Sequence, residues 1–376
     1  MHICQIMSSP FPPEEGIGNY VNGLSNFFLE NGHKVTVFTR GKLFTTIVKQ
    51  IDNLTVIEVP FIPLYPVYMG LHKMFLTKEF TKIKKNFDII HFHSPLVPPI
   101  KTSQPNIVTF HSAMLIDAKF RGPNNNIRSI CEKIMSKYIS YPIEKNLISQ
   151  TELITTVSTT IAKELEMYPI GATKIRVIGN GVDEKVFFPL NRKCSKPYIL
   201  CVGRLDYAKG MFDLIQCAKL VCNKNDEVIF IIAGKGPACK KLQYEVKLLG
   251  IEHKVKFLGH CNREKIVGLN QNSTVTLIPS HHEGLPTTLL EAMACGSPVI
   301  ATRISGNTDV IESEVNGILI PPKSPKIMAE TIVNLLTNDQ HRWELGKNAR
   351  KTIEEKYTWD IISNEYLKCY NSVITN

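Results

Sequence analysis

The sequence contains no CxxC pair among its ten cysteines, no low-complexity run and no repeat. Nor does any stretch approach the roughly 18 uninterrupted apolar residues of a membrane-spanning helix. Without a paired motif, Cys4, Cys201 and Cys295 read as small apolar residues of a chain in a reducing compartment. The N-terminal MHICQIMSSPFPPEEG has no charged leader region, and prolines break its apolar run, so it is not expected to be a secretory signal. Charge is not concentrated either. Residues up to 190 hold 20 Lys and Arg against 15 Asp and Glu, and the remainder 24 against 19, so the net +10 is split evenly. Such an excess suits solvated lysines, or attraction to anionic phosphates or an anionic membrane face. No basic stretch is interleaved with stacking aromatics, so nucleic acid is not expected as a partner.

What is present is a globular composition, 43% hydrophobic and 21% charged, in a chain of 376 residues, which is long enough for two domains. The order along the chain is strand, Gly loop, helix, strand. HICQIM (2–7) reads as a short buried strand, and PFPPEEGIGN (10–19) as a Pro/Gly loop. Val21, Leu24, Phe27 and Phe28 share one helical face, and Asn31-Gly32 closes that helix. KVTVF (34–38), DIIHFH (88–93), NIVTFH (106–111) and ELITTVS (152–158) read as further strands, two of them ending in His. KIRVIGNGVDEKVFFP (174–189) leaves the first domain, and the polar NRKCSKP (191–197) is expected as the linker. The pattern then restarts with YILCVG (198–203), the helix MFDLIQCAKLVC (211–222), EVIFIIAG (227–234), KVKFLG (254–259), TVTLIPS (274–280) and SPVIAT (297–302). Alternation of β and α twice over predicts an α/β fold of two doubly wound parallel sheets, with ligands beyond the carboxyl ends of the strands.

One stretch, LHKMFLTKEFTKIKKNF (71–87), is both basic and amphipathic. It suits a surface helix with its apolar face on the sheet, or a helix resting on an anionic bilayer.

Three segments can carry chemistry. In VGRLDYAKGMF (202–212), Arg204 and Lys209 precede a helix start, a combination that favours an anion such as a diphosphate. In IIAGKGP (231–237), small residues around Gly234 permit close approach of a ligand. In SHHEGLPTTLLEAMACG (280–296), Pro286 is expected at the first helical position, leaving the Thr287 and Thr288 amides outward. Glu283 lies before that helix and Glu291 inside it. Carboxylates accept hydrogen bonds from vicinal diols of a sugar or ribose. Each also has a plain reading, Glu283 as a charge complementing the helix dipole and Glu291 as a salt-bridged helix carboxylate.

Together GRLDYAKG, AGKGP and HHEGLPTTLLEAMACGSPVIAT resemble the donor half of the retaining, nucleotide-sugar-dependent glycosyltransferases of family 4, whose signature is Glu-x7-Glu. FPPEEGIGNYV, NIVTFHS, TTVS and VIGNGVDEKVFFP are similar to the other half, so the resemblance covers nearly the whole chain. It implies the GT-B fold, two Rossmann-like domains facing a cleft. Residues 1–190 would bind the acceptor and 191–376 the nucleotide sugar, the last helix packing back on the first domain. It implies that Arg204 and Lys209 hold the diphosphate and stabilise the leaving group, with amides of Thr287 and Thr288 beside them. Glu291 would hold the ribose diol and Glu283 hydroxyls of the transferred hexose or N-acetylhexosamine, with Gly284 and Leu285 also binding the donor. Gly16 and Gly18 would let the N-terminal loop close over sugar and phosphate, and His111 would sit by the reacting carbon. No DxD pair occurs, so no essential metal and no cofactor are expected, the two cations supplying the electrostatic work. The acceptor is a glycan or a lipid-linked species. The protein is expected in the cytoplasm, with a peripheral membrane contact through 71–87.

Lys235 departs from the family's pattern, where an acidic or small residue is usual, and leaves the donor base unassigned. Two other readings compete. A catalytically inactive sugar-nucleotide-binding protein would share the fold. A nicotinamide enzyme would use Gly16-Ile17-Gly18, but Val21 stands where a third glycine is required and Arg40, not an acid, follows the second strand.

Overall fold

The computed structural model describes residues 1–11, 16–42, 44–64, 67–120, 127–171, 174–190, 196–304 and 306–375. Residues 12–15 of the expected Pro/Gly loop, 121–126 of the Asn-rich segment and 191–195 of the expected linker lie outside them. The chain divides into two compact units. The first comprises Met1–Lys119, Ile127–Gly181 and the stretch from Trp359 onward; the second is formed essentially by Val182–Thr358.

The first unit is built on β1 (His2–Ile6), β2 (Lys34–Arg40), β3 (Ile47–Ile51), β4 (Leu54–Val59), β5 (Ile89–Ser94), β6 (Asn106–Phe110), β7 (Leu153–Thr156) and β8 (Lys174–Val177). They form one sheet in the order β3-β4-β2-β1-β5-β6-β7-β8. All neighbours pair parallel except β3 with β4. Central strands such as IIHFHS are buried throughout, the run of a parallel strand covered on both faces. The exposed β3 is antiparallel and closes one edge. On one face the Ile17–Glu30 helix buries Val21, Leu24, Phe27 and Phe28 as its periodicity predicts. The Trp359–Ile374 helix packs into the same core through Ile362, Tyr366 and Tyr370. Trp359 fills space left by two glycines: a Cβ at Gly23 would stand 2.1 Å from its ring, and one at Gly181 2.5 Å.

The second unit holds β9 (Tyr198–Val202), β10 (Ile229–Ala233), β11 (Val255–Gly259), β12 (Val275–Ile278), β13 (Val299–Thr302) and β14 (Ile318–Ile320), all parallel. Their order is β11-β10-β9-β12-β13-β14. Counted within the unit this is 3-2-1-4-5-6, the order of dinucleotide-binding sheets, whose ligands sit where the winding reverses. Here that is the junction of β9 and β12. The corresponding reversal in the first sheet is the junction of β1 and β5.

The basic segment 71–87 forms the Tyr68–Ile83 helix followed by a turn at Lys84–Asn86. Leu76, Phe80 and Phe87 are buried, so its apolar side is spent on the unit's own core, and Met74 is its exposed large apolar residue.

Candidate functional site

In the second unit the loops after β9 and β12 converge because their backbones are allowed to touch. A Cβ at Gly210 would lie 1.9 Å from the Pro279 carbonyl oxygen, and one at Gly234 1.9 Å from that of Gly203. Both glycines have positive φ, 65° and 147°, so a side chain would be strained as well as crowded. The His281 amide donates to the Ala208 carbonyl at 2.7 Å, joining the two loops directly. The Ser280 carbonyl is pinned from the neighbouring strand by Thr302 Oγ1 at 2.5 Å.

On this frame the charges pair. Lys209 Nζ bonds Glu283 Oε1, which also accepts from Ser280 Oγ at 2.8 Å. Arg204 Nη2 lies 2.5 Å from Asp206 Oδ2, while Asp206 Oδ1 accepts from the Lys209 amide at 3.1 Å. Arg204 is half exposed and Lys209 partly covered, so both cations remain reachable. His281 Nε2–H donates to Asp213 Oδ2 at 2.6 Å, which ties the β12 loop to the Met211–Cys222 helix.

The Thr287–Ala294 helix starts one residue later than the sequence suggests. Pro286 is its N-cap, not its first residue, because its ψ of 123° is extended. Its carbonyl accepts from Leu289 at 3.2 Å. The Thr287 and Thr288 amides therefore open the helix, and among the described residues neither has an acceptor. Glu291 lies one turn further in. Burial raises its carboxyl to about 7 against the pull of Arg263, and among the described residues its carboxylate has no hydrogen-bond partner.

In the first unit His111 follows β6. Its Nε2 lies 3.4 Å from His93 Nδ1, and its ring meets Tyr20 edge-on at 4.7 Å. Desolvation holds its pKa down at about 3, so it is neutral at physiological pH. Gly16 caps the Ile17–Glu30 helix at φ 54°, with Gly18 buried in the first turn.

Two family descriptions match the chain: "Glycosyltransferase Family 4" over residues 15–186 and "Glycosyl transferases group 1" over residues 182–352. The chain belongs to the family 4 glycosyltransferases. An uncharacterized glycosyltransferase of Methanocaldococcus jannaschii is 28% identical over 96% of this chain and 95% of its own. Sucrose-phosphate synthase of Thermosynechococcus elongatus has a TM-score of 0.83 at 20% identity, over 100% of this chain and 99% of that one. Anabaena HepE, crystallised with UDP and glucose, has a TM-score of 0.75 at 17% identity, over 99% and 100%.

In this retaining, nucleotide-sugar-dependent glycosyltransferase of GT-B fold, Arg204, Lys209, Gly234, Glu283, Gly284, Leu285, Thr287, Thr288 and Glu291 lie in the second unit, and Gly16, Gly18 and His111 in the first. Sequence reasoning passed over the residues that hold them. Gly210 and Gly306 let loops touch, a Cβ at Gly306 standing 2.1 Å from the Gly284 carbonyl oxygen. Asp206 and Ser280 orient the charged groups. In the first unit Gln5, a polar residue inside an otherwise apolar strand, was the available signal for a buried hydrogen-bonded seam.

Proposed function

We propose that the enzyme moves a hexose or N-acetylhexosamine, with retention, from a nucleoside-diphosphate sugar to a glycan or lipid-linked acceptor without an essential metal. One observation carries the reading. At the winding reversal of the second sheet, two cations, two helix-start amides without acceptor among the described residues and a carboxylate without hydrogen-bond partner among them belong to one loop-and-helix frame. Arg204, Lys209 and the amides of Thr287 and Thr288 hold the diphosphate and stabilise it as it leaves. Glu291 accepts from the ribose diol. Glu283 is released by Lys209 as the diphosphate takes that lysine, and then accepts from sugar hydroxyls. The departing diphosphate receives the acceptor's proton on the face it leaves, so configuration is kept. Gly16, at a φ of 54° that favours glycine, and Gly18 start the Ile17–Glu30 helix near sugar and phosphate, and His111 lies by the reacting carbon.

The five lysines of 71–87 offer charge to an anionic membrane, while Leu76, Phe80 and Phe87 are buried in the unit's own core. Contact there is electrostatic, and flotation with anionic liposomes is lost at moderate salt. The test of the main reading is a thermal-shift panel of UDP-, GDP- and ADP-sugars followed by transfer assays. One donor class raises Tm and is consumed with an acceptor. Binding with neither transfer nor hydrolysis would favour an inactive sugar-nucleotide-binding protein.

A further inference from the structure

Three neighbouring strands of the first unit line up polar side chains. Gln5 comes from β1, His93 from β5 and His111 from the end of β6. Gln5, His93 and Ser25 are fully buried. Gln5 Nε2 donates to Ser25 Oγ at 3.1 Å, so the amide turns its oxygen to His93, 2.8 Å from Nε2. His93 Nδ1 then faces His111 Nε2 at 3.4 Å.

Hydrogen counting fixes the rest. Burial lowers the pKa of both imidazoles, so each carries one N–H. The Gln5 oxygen only accepts, so the His93 proton is on Nε2 and its lone pair on Nδ1. That lone pair requires the His111 proton on Nε2. The opposite arrangement sets two acceptors against each other and leaves that contact unmade.

We propose that Gln5 and His93 are positioning residues that lock His111 in the tautomer protonated on Nε2, so that Nδ1 presents a lone pair to substrate. His111 is then an acceptor for a sugar or acceptor hydroxyl, and not a proton donor to the leaving group. This rests on the reading that puts His111 by the reacting carbon. His91 and Tyr366 flank the seam and are themselves engaged: His91 with Tyr370 and Thr109, Tyr366 with Tyr20 and Thr109.

The test separates tautomer from packing. In protein labelled with 15N at histidine, His111 shows the Nε2–H tautomer without any ligand; an Nδ1–H form or a mixture overturns the proposal. His93→Phe fills the ring's volume but offers no acceptor. His93→Asn leaves a gap but places an oxygen near the old Nδ1. Turnover falls about tenfold in the Phe variant, one hydrogen bond's worth, with KM little changed. The Asn variant stays within a few-fold of wild type although it melts lower. If turnover instead follows Tm across the pair, the seam is structural and the proposal fails. If His111→Ala keeps normal turnover, the functional reading of His111 falls and with it the catalytic half of the proposal, while the NMR result decides the tautomer half on its own.

Discussion

The two sheets wind alike but offer opposite chemistry where the winding reverses. In the first, β1, β5 and β6 bring neutral imidazoles, an amide and hydroxyls into a buried seam closed by Tyr366 and Tyr370. In the second, β9 and β12 hold out Arg204, Lys209, Asp206 and Glu283 on loops open enough for exchange. Topology fixes where a ligand can sit. The side chains decide whether it meets directional neutral acceptors or mobile charge. A seam without charge suits orienting hydroxyls, whereas compensated ion pairs suit a dianion that must be gripped and released.

The strongest way to break this contrast is Lys209→Ala. Removing a cation from the leaving group is expected to cost about 10²–10³ in kcat, with Arg204→Ala of similar size. Steady-state transfer assays check both, and a loss under threefold in each would place the diphosphate elsewhere. Glu283→Gln keeps the shape and removes the charge that pairs with Lys209 and that the proposed mechanism turns to the sugar hydroxyls. About 10²-fold lower turnover is expected, and near-normal turnover would sink the assigned role. Gly234→Ala tests the frame rather than the charges. With a Cβ only 1.9 Å from the Gly203 carbonyl oxygen at a φ of 147°, it is expected to lose about 2–4 kcal/mol of stability by urea titration.

The smallest effects separate the units by pH. His91 and His93 are held below their ordinary pKa by burial, and His111 at about 3 by the same cause. For these the unfolded chain binds more protons below pH 6.5, so first-unit stability falls as pH drops, by up to about 1.4 kcal/mol per pH unit for each imidazole. Glu291 is the reverse case. With burial raising it to about 7, the folded state binds the extra proton, and stability falls as pH rises from 4.5 to 7. Glu144 in the first unit, raised to about 7 by burial despite its bonds to Tyr168 and the Met114 amide, acts in the same sense as Glu291. Hydrogen exchange is expected to show β5 and β6 loosening first in acid. Glu291→Gln is expected to flatten the alkaline loss around β12. A pH response identical in both sheets would erase the distinction.

Much of the frame was legible in sequence. Apolar runs flanked by Gly and polar residues located β1, β5, β6, β9, β10 and β12, and the predicted helix 211–222 is the observed Met211–Cys222. The edge pair β3 and β4 was not, because β3 is exposed along its whole length and carries no burial pattern. The charged residues of the second site stand beside their own glycines within single loops, so local sequence announces them. The seam of the first unit draws on β1, β5, β6 and two helices, with sequence separations of 88 for Gln5 and His93 and 279 for His91 and Tyr370. No local pattern encodes a contact of that kind. Pro286 failed for a subtler reason: proline's φ suits both an N-cap and a first helical residue, and only ψ separates them.

The return of the chain to the first unit at Trp359 also sets an order of assembly during synthesis. The strands of the second unit all precede the Trp359–Ile374 helix in the chain. Until that helix emerges, Trp359 is missing from the space beside Gly23 and Gly181, and His91 lacks Tyr370. The first unit, begun first, is thus finished last, and its polar seam stays wet for as long as the second takes to be made. A chain truncated at Thr358 is expected to keep a protease-resistant second unit and a first unit open to digestion.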